Sequence, residues 1–300
     1  MTAKKKHHRS RRPVQLSHGR PPTINNAARV SLSSRATRNL IRSHHQLLKA
    51  RARALEAGDH ELAEKLDAQI QANGGLESYQ LASKTGQSLE RGGDTSKVLI
   101  DWIGPKLVQL NNTPFKLRAL EIGALSTKNA CSRNPYLDVT RIDLHSQEPG
   151  ILQQDFMERP LPSGDDDRFH LISLSLVLNY VPSPTGRGEM LKRCVTFLTK
   201  SLPSGCSMID FSPCLFLVLP AACIENSRYL TQDRLQKIMS SLGFTLAKSK
   251  LTSKLIFQLW EFNSHSEHRS FGKEILNPGK TRNNFAIVLS HTSSTAEAKH

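Results

Sequence analysis

Acidic side chains are missing from the whole stretch Met1 to Ala54, which carries fourteen Lys and Arg. The remaining 246 residues hold 27 basic and 26 acidic side chains, so the formal charge of +15 sits almost entirely in this N-terminal arm. A near-neutral domain with a separate basic device at its start is the reading that follows. Cysteine is sparse and scattered. Cys131, Cys194, Cys206, Cys214 and Cys223 form no C-x-x-C pair. That speaks against a zinc knuckle or a disulfide framework, and no metal site is expected. No apolar run approaches membrane-spanning length, and the basic start lacks the apolar stretch of a secretory signal. No membrane partner is expected. The three spaced glycines of a dinucleotide fingerprint are also absent.

What is present is a ladder of strand ends carrying polar groups. Leu120-Glu121-Ile122-Gly123-Ala124 reads as a short buried strand ending in an acid and a glycine at a strand-to-helix turn. Twenty residues after the glycine, Arg141-Ile142-Asp143-Leu144 reads as a second strand ending in a carboxylate. In an open parallel sheet such ends share one crevice, where ligands bind. A glycine admits close backbone approach, and Asp143 can accept both hydroxyls of a ribose. Gly123 stands alone, with Ala124, Leu125 and Ser126 after it, so a pyrophosphate cradle is not supported. S-adenosylmethionine has no phosphate and carries a sulfonium cation, which suits an acid at Glu121.

Ile151 to Phe156 has the shape of a third strand, where Asp155 can accept from an adenine amino group and Phe156 can offer its ring. Phe169 to Leu178 is a continuous apolar run through Ser175, leading into the loop Asn179-Tyr180-Val181-Pro182-Ser183-Pro184. The competing reading is plain turn chemistry, with Asp143 capping the next helix and Phe156 a core residue.

Along the chain, residues 1–32 read as a basic disordered tail and residues 33–96 as a helical region. Residues 97–291 read as the main domain, followed by a short tail over 292–300. Leu40, Leu47, Leu48, Leu55, Leu62, Leu66 and Ile70 recur at helical spacing, and Gly58-Asp59 divides two antiparallel helices. The first helix bears Arg35, Arg38 and Arg42, either a solvated face or a groove wall for phosphates. Lys4, Lys5, Lys6, Arg9, Arg11 and Arg12 form a cluster read as a nuclear address or a polyanion contact, with a mitochondrial presequence as competitor. Arg91, just before the main domain, is placed to fold back over the cofactor and meet its methionine carboxylate.

Later elements expected are a helix from Gly188 to Leu202, a fifth strand from Cys206 to Phe211, and a helix from Thr231 to Leu242. Two closing strands are expected over Leu255 to Phe262 and Phe285 to Leu289. The alternation makes the fold class α/β, a doubly wound and mostly parallel sheet.

Gly123, Asp143, Asp155-Phe156, and the segment from Phe169-His170 through Ser175 to Asn179-Tyr180-Val181-Pro182-Ser183-Pro184 resemble the fungal methyltransferases that modify ring nitrogen 1 of an adenine in large-subunit (25S) ribosomal RNA. The Tyr180 to Pro184 segment is also similar to their animal relative, an S-adenosylmethionine sensor. The resemblance implies a class I (Rossmann-like) methyltransferase with a seven-stranded sheet, acting in the nucleolus during ribosome biogenesis. It implies S-adenosyl-L-methionine as cofactor, contacted by Gly123, Asp143, Asp155, Phe156 and Ser175. The implied partner is large-subunit ribosomal RNA or a pre-ribosomal particle. Transfer to adenine N1 would need an unstacked base, with Tyr180 as platform and Asn179 on its Watson–Crick edge, unless both simply shape a loop. The alternative function is a non-catalytic sensor acting through a protein partner. Removing residues 1–54 is expected to weaken RNA binding and leave cofactor affinity intact.

Overall fold

The computed structural model describes residues 34–75, 77–78, 81–82, 93–146, 148–199, 211–265, 267 and 269–290. The basic arm, Arg91, Cys206 to Asp210 and the C-terminal tail lie outside the described residues.

Two helices come first, α1 over Ser34–Glu56 and α2 over His60–Ala72. Gly58 turns the chain between them at φ 75°, a left-handed conformation that glycine adopts without strain. Asp59 then caps α2 by accepting from the Leu62 N–H at 3.0 Å. Ala54, Ala63 and Leu66 pack between the two helices, with Leu47 and Ala50 against them. Helix α3 spans Ser96–Leu107.

Strands β1 (Leu117–Ile122), β2 (Leu137–Asp143), β3 (Leu152–Gln153), β4 (Leu171–Ser175) and β5 (Cys214–Pro220) run parallel. Strands β6 (Phe244–Leu251) and β7 (Leu255–Phe262) close the sheet, β7 running antiparallel to both β5 and β6. The order is β3-β2-β1-β4-β5-β7-β6. The parallel strands reverse direction of succession between β1 and β4, so their carboxyl ends flank one crevice. Helix α4 covers Pro184–Phe197, α5 is a single turn over Ala222–Glu225, and α6 covers Gln232–Ser241. The core lies on both faces of the sheet. Trp260, Phe197 and Phe244 pack on one face, and Leu99, Ile103 and Phe216 on the other.

Several expected elements move. Helix α4 starts at Pro184 rather than Gly188, because Ser183 accepts from the Gly186 N–H at 2.8 Å and Pro184 takes the first helical position. It ends at Phe197, short of Leu202, since Leu198 is already extended and bridges to Phe169. The fifth strand lies at Cys214 to Pro220, eight residues beyond the expected start. Phe211 is outside any strand. The segment Cys214 to Pro220 sits between β4 and β7, where the side chains of Cys214 to Leu219 are buried.

The closing pair is β6 with β7. Phe285 to Leu289 is not a sheet strand; it lies against α4, with the Val288 N–H donating to the Pro184 carbonyl at 3.0 Å. A Cβ on Gly188 would fall 1.9 Å from the Val288 carbonyl oxygen, so this contact demands glycine on the helix. Strand β6 escaped sequence reading because it is the sheet edge. Its residues Ala247 to Leu251 are exposed and include Lys248 and Lys250, the polar dress of a protected edge strand.

His170 is 1% exposed at the entrance to β4, its Nδ1 accepting from the Arg118 N–H at 2.9 Å. Burial, with the Arg118 charge assisting, pushes its pKa down from 6.5 to about 4. The fold therefore holds the neutral ring. Its contribution is complete above pH 6.5 and is lost as pH falls from 6.5 toward 4. At pH 5 the loss is about 2 kcal/mol. In thermal melts, His170→Asn, which keeps an acceptor for Arg118, should show a shallower fall in Tm between pH 7 and pH 5 than the unaltered chain.

Candidate active site

Strand β1 stops at Ile122 because Gly123 turns away at φ 75°. Its N–H donates to the Ile142 carbonyl at 2.9 Å, tying the tip of β1 to that of β2. A Cβ at this position would lie 2.5 Å from Val177 Cγ2. Dihedral angle and space both require glycine. Across the tip, Leu176 ends β4 at φ 57°, a conformation that costs a branched residue about 1–2 kcal/mol. Its N–H donates to the Val218 carbonyl at 2.9 Å, which holds it there.

Around these turns opens a cavity of about 570 Å³. Gly123, Asp143, Asp155, Phe156, Ser175 and Tyr180 all line it. Asp143 sits at the end of β2, and its Oδ1 accepts from the His145 N–H at 2.8 Å. Turn chemistry and cavity lining are thus properties of the same carboxylate. Asp155 behaves likewise, with Oδ1 accepting from the Met157 N–H at 2.7 Å. Phe156 is 2% exposed, packed 5.4 Å from Phe197 and beneath the Arg193 guanidinium. It is a core residue that also shows an edge to the cavity. The Ser175 hydroxyl lies 2.9 Å from that of Thr95, which joins the end of β4 to the start of α3.

Glu121 and Asn179 are not on the cavity wall. One Glu121 oxygen accepts from Asn129 Nδ2 at 2.7 Å, while the other is buried with no hydrogen-bond partner among the described residues. Burial raises its pKa, opposed by the Asn129 hydrogen bond and the Arg141 charge. The Asn179 side-chain oxygen is buried and likewise has no partner among the described residues. Arg42 is exposed on α1. Arg35 and Arg38 fall within α1, but their side chains lie outside what the structure describes. Arg91 and Lys4, Lys5, Lys6, Arg9, Arg11 and Arg12 lie outside the described residues altogether.

The outer wall of the cavity escaped sequence reasoning. It comes from the N-terminal hairpin: His44, His45, Leu48 and Arg51 of α1, with Asp67 and Ile70 of α2. Arg51 and Asp67 pair across the hairpin at 2.6 Å. The His45 ring stacks on Tyr180, centroids 4.1 Å apart and planes 17° apart. Burial, helped by nearby His44 and Lys49, pushes its pKa down to about 3, so the imidazole is neutral near pH 7. The one available signal was the pair His44-His45 set beside Leu47 and Leu48 in a helix otherwise rich in arginine. Because α1 walls the cavity, removal of residues 1–54 cannot leave cofactor affinity untouched. A deletion aimed at the arm has to stop at residue 33.

Among the described residues no cluster of three or more metal-ligating side chains occurs, and no helix is long and apolar enough to cross a membrane. The cavity fits an adenosine-bearing sulfonium cofactor on three counts. A carboxylate sits at the β2 tip, Gly123 brings a turn without a side chain to the cavity, and an apolar wall of Ile122, Ile142 and Phe156 faces the same space.

This strand order, with an antiparallel closing strand and a glycine turn after β1, defines a class I methyltransferase that uses S-adenosylmethionine. Residues 64–287 match the family described as 25S rRNA (adenine(2142)-N(1))-methyltransferase, Bmt2, and the chain belongs to that family. It is 41% identical over 252 residues to the 25S rRNA (adenine(2142)-N(1))-methyltransferase of Saccharomyces cerevisiae, a match covering 82% of this chain and 70% of the yeast protein. It is 38% identical over 255 residues to the 25S rRNA adenine-N(1) methyltransferase of Schizosaccharomyces pombe, covering 83% and 89%. Among solved structures, the N-methyltransferase NodS from Bradyrhizobium japonicum, in complex with S-adenosyl-L-homocysteine, gives a TM-score of 0.38 at 11% identity. That match covers 59% of this chain and 92% of NodS.

Two substitutions probe the cavity. Asp143→Ala should leave a folded protein and weaken S-adenosyl-L-homocysteine binding by about tenfold to a hundredfold, the range for losing hydrogen bonds to a charged group, as measured by calorimetry. Gly123→Ala should weaken binding at least as much and also lower Tm, since both φ and the Val177 contact oppose a methyl group.

Proposed function

We propose that this enzyme methylates ring nitrogen 1 of an adenine in large-subunit ribosomal RNA. The target would be the position equivalent to adenine 2142 in the name of the Saccharomyces relative. One observation carries the reading: a single cavity joins the strand tips suited to the cofactor to an aromatic ring, Tyr180.

When bound, S-adenosylmethionine supplies an electrophilic methyl group that passes to the N1 lone pair as the carbon–sulfur bond breaks. N1 of neutral adenine carries no proton, so the protein has none to remove. Its work is to hold the base in line and keep water out. Tyr180 stacks the extruded base, and Asn179, off the cavity wall, shapes the loop that carries it. Leu48 and Ile70 of the hairpin exclude water from the far side. The acid-free arm attracts phosphates without reading sequence, and outward-facing Arg42 extends that attraction along α1.

The chain divides into the basic arm over residues 1–32, the helical region over 33–96, the catalytic domain over 97–291 and a tail over 292–300. The enzyme acts in the nucleus, at the nucleolus, during ribosome biogenesis, where its RNA partner is made and the arm's lysine cluster serves as address.

Mapping N1-methyladenine in large-subunit RNA from cells with and without the gene tests the activity. Loss of one methylated adenine is expected, and an identical map in both would overturn it. Deleting residues 1–33 should weaken RNA binding and flatten its salt dependence, by about 0.7 in log–log slope for each phosphate the arm no longer neutralises. Calorimetry on the same variant should give an unchanged cofactor affinity.

A further inference from the structure

The target adenine needs a ring face on which to stack, and in this structure the Tyr180 ring already carries one. The imidazole of His45 lies on it at 4.1 Å and 17°, the spacing and tilt of a stacked heterocycle. Both rings line the cavity that Gly123, Asp143 and Ser175 also line, so the stack and the strand tips share one space. We propose that His45 is a stand-in for the target base, a specificity-determining residue whose ring the incoming adenine must displace from Tyr180. The inference rests on the N1-methylation reading above.

Chemistry supports the substitution of one ring for the other. Burial keeps the His45 imidazole uncharged, so it is a flat, neutral nitrogen heterocycle, as adenine is. A protonated ring would be a poor tenant of this apolar space. The neighbouring His44 ring meets it edge-on at 6.0 Å, and Leu48 sits one turn further along the same helix. Its placement therefore depends on how α1 lies across the cavity mouth.

That helix also presents charge outward. Arg42 and Arg53 are exposed on α1, while His45 faces in. An RNA backbone that docks on the outer face acts on the same element that holds the ring on Tyr180. Only an RNA engaging α1 and inserting its adenine offsets the broken stack. An adenine that merely diffuses in meets an occupied platform. Discrimination is thus built as competition for one ring face rather than as added attraction for the right substrate.

The test uses the full chain, in vitro transcribed large-subunit RNA and, as a non-cognate probe, an unrelated RNA of equal length. For His45→Ala, KM for the large-subunit RNA should fall roughly twofold to tenfold, the equivalent of one aromatic stack, with kcat unchanged. Methylation of the unrelated RNA should rise by a larger factor than the large-subunit RNA gains, so that the preference between the two narrows. For His45→Phe, whose ring stays on Tyr180 and is larger, KM should rise about twofold or more. An unchanged or higher KM in the alanine variant, a lower kcat, or an unchanged preference between the two RNAs would overturn the proposal. If the alanine variant fails to fold, the phenylalanine variant decides: an unchanged or lower KM refutes. An unaltered chain that binds cofactor but leaves the large-subunit RNA unmethylated overturns the function reading, and this inference with it. An active chain indifferent to His45 overturns the inference alone.

Discussion

The Val177 side chain, in the turn after β4, packs so closely on the tip of β1 that no Cβ fits at position 123, and the site depends on that approach. Gly123 sits in left-handed conformation with Val177 already within 2.5 Å of any added Cβ. Its N–H is committed to Ile142, so the β1 and β2 tips share one edge of the crevice. Opposite, Leu176 accepts an unfavourable φ that glycine would have taken without strain. The hydrogen bond to Val218 and the packing of β5 hold it. Backbone strain on one side and a missing side chain on the other let Val177 pack against the β1 tip at the switch between β1 and β4, beside the cavity.

Behind the crevice, a second constraint sets the loop that carries Tyr180. Arg187, 2% exposed at the start of α4, donates to the Ala286 carbonyl at 2.6 Å and to the Pro182 carbonyl at 3.2 Å. Its guanidinium lies over the Phe285 ring at 4.4 Å. Burial lowers its pKa to about 10, which leaves it charged at any physiological pH. One buried cation thereby pins the Tyr180 loop, the start of α4 and the C-terminal segment together. Carbonyl oxygens, rather than an acidic partner, accept from its two terminal nitrogens, while its Nε is buried with no hydrogen-bond partner among the described residues. Phe285 to Leu289 takes its place here, and this is why its apolar run does not become a strand.

The hairpin gives the molecule two electrostatic faces. Inward, α1 contributes the neutral His45 ring and Leu48, with Arg51 paired to Asp67 on the same wall. Outward, it continues the positive charge of the arm. Exposed arginines and the cavity wall therefore lie on different sides of one helix, as its amphipathic spacing permits.

Much of this was legible in the residues alone. Apolar strands ending in Gly123, Asp143 and Ser175 follow local rules of period and turn chemistry, so their existence, order and shared crevice could be read directly. The charge asymmetry between arm and body is a matter of counting. What remained hidden depended on partners distant in the chain. Cys214 to Pro220 is a continuous apolar run whose place between β4 and β7 is set by strands distant in the chain. Strand β6 looks polar because one edge faces water. Phe156 is both core and cavity wall, a distinction that composition does not carry. Above all, His45 reaches Tyr180 across 135 residues of sequence. Sequence sets what each segment prefers locally; which ring meets which is decided by packing, because that contact exists only once the hairpin has closed over the sheet.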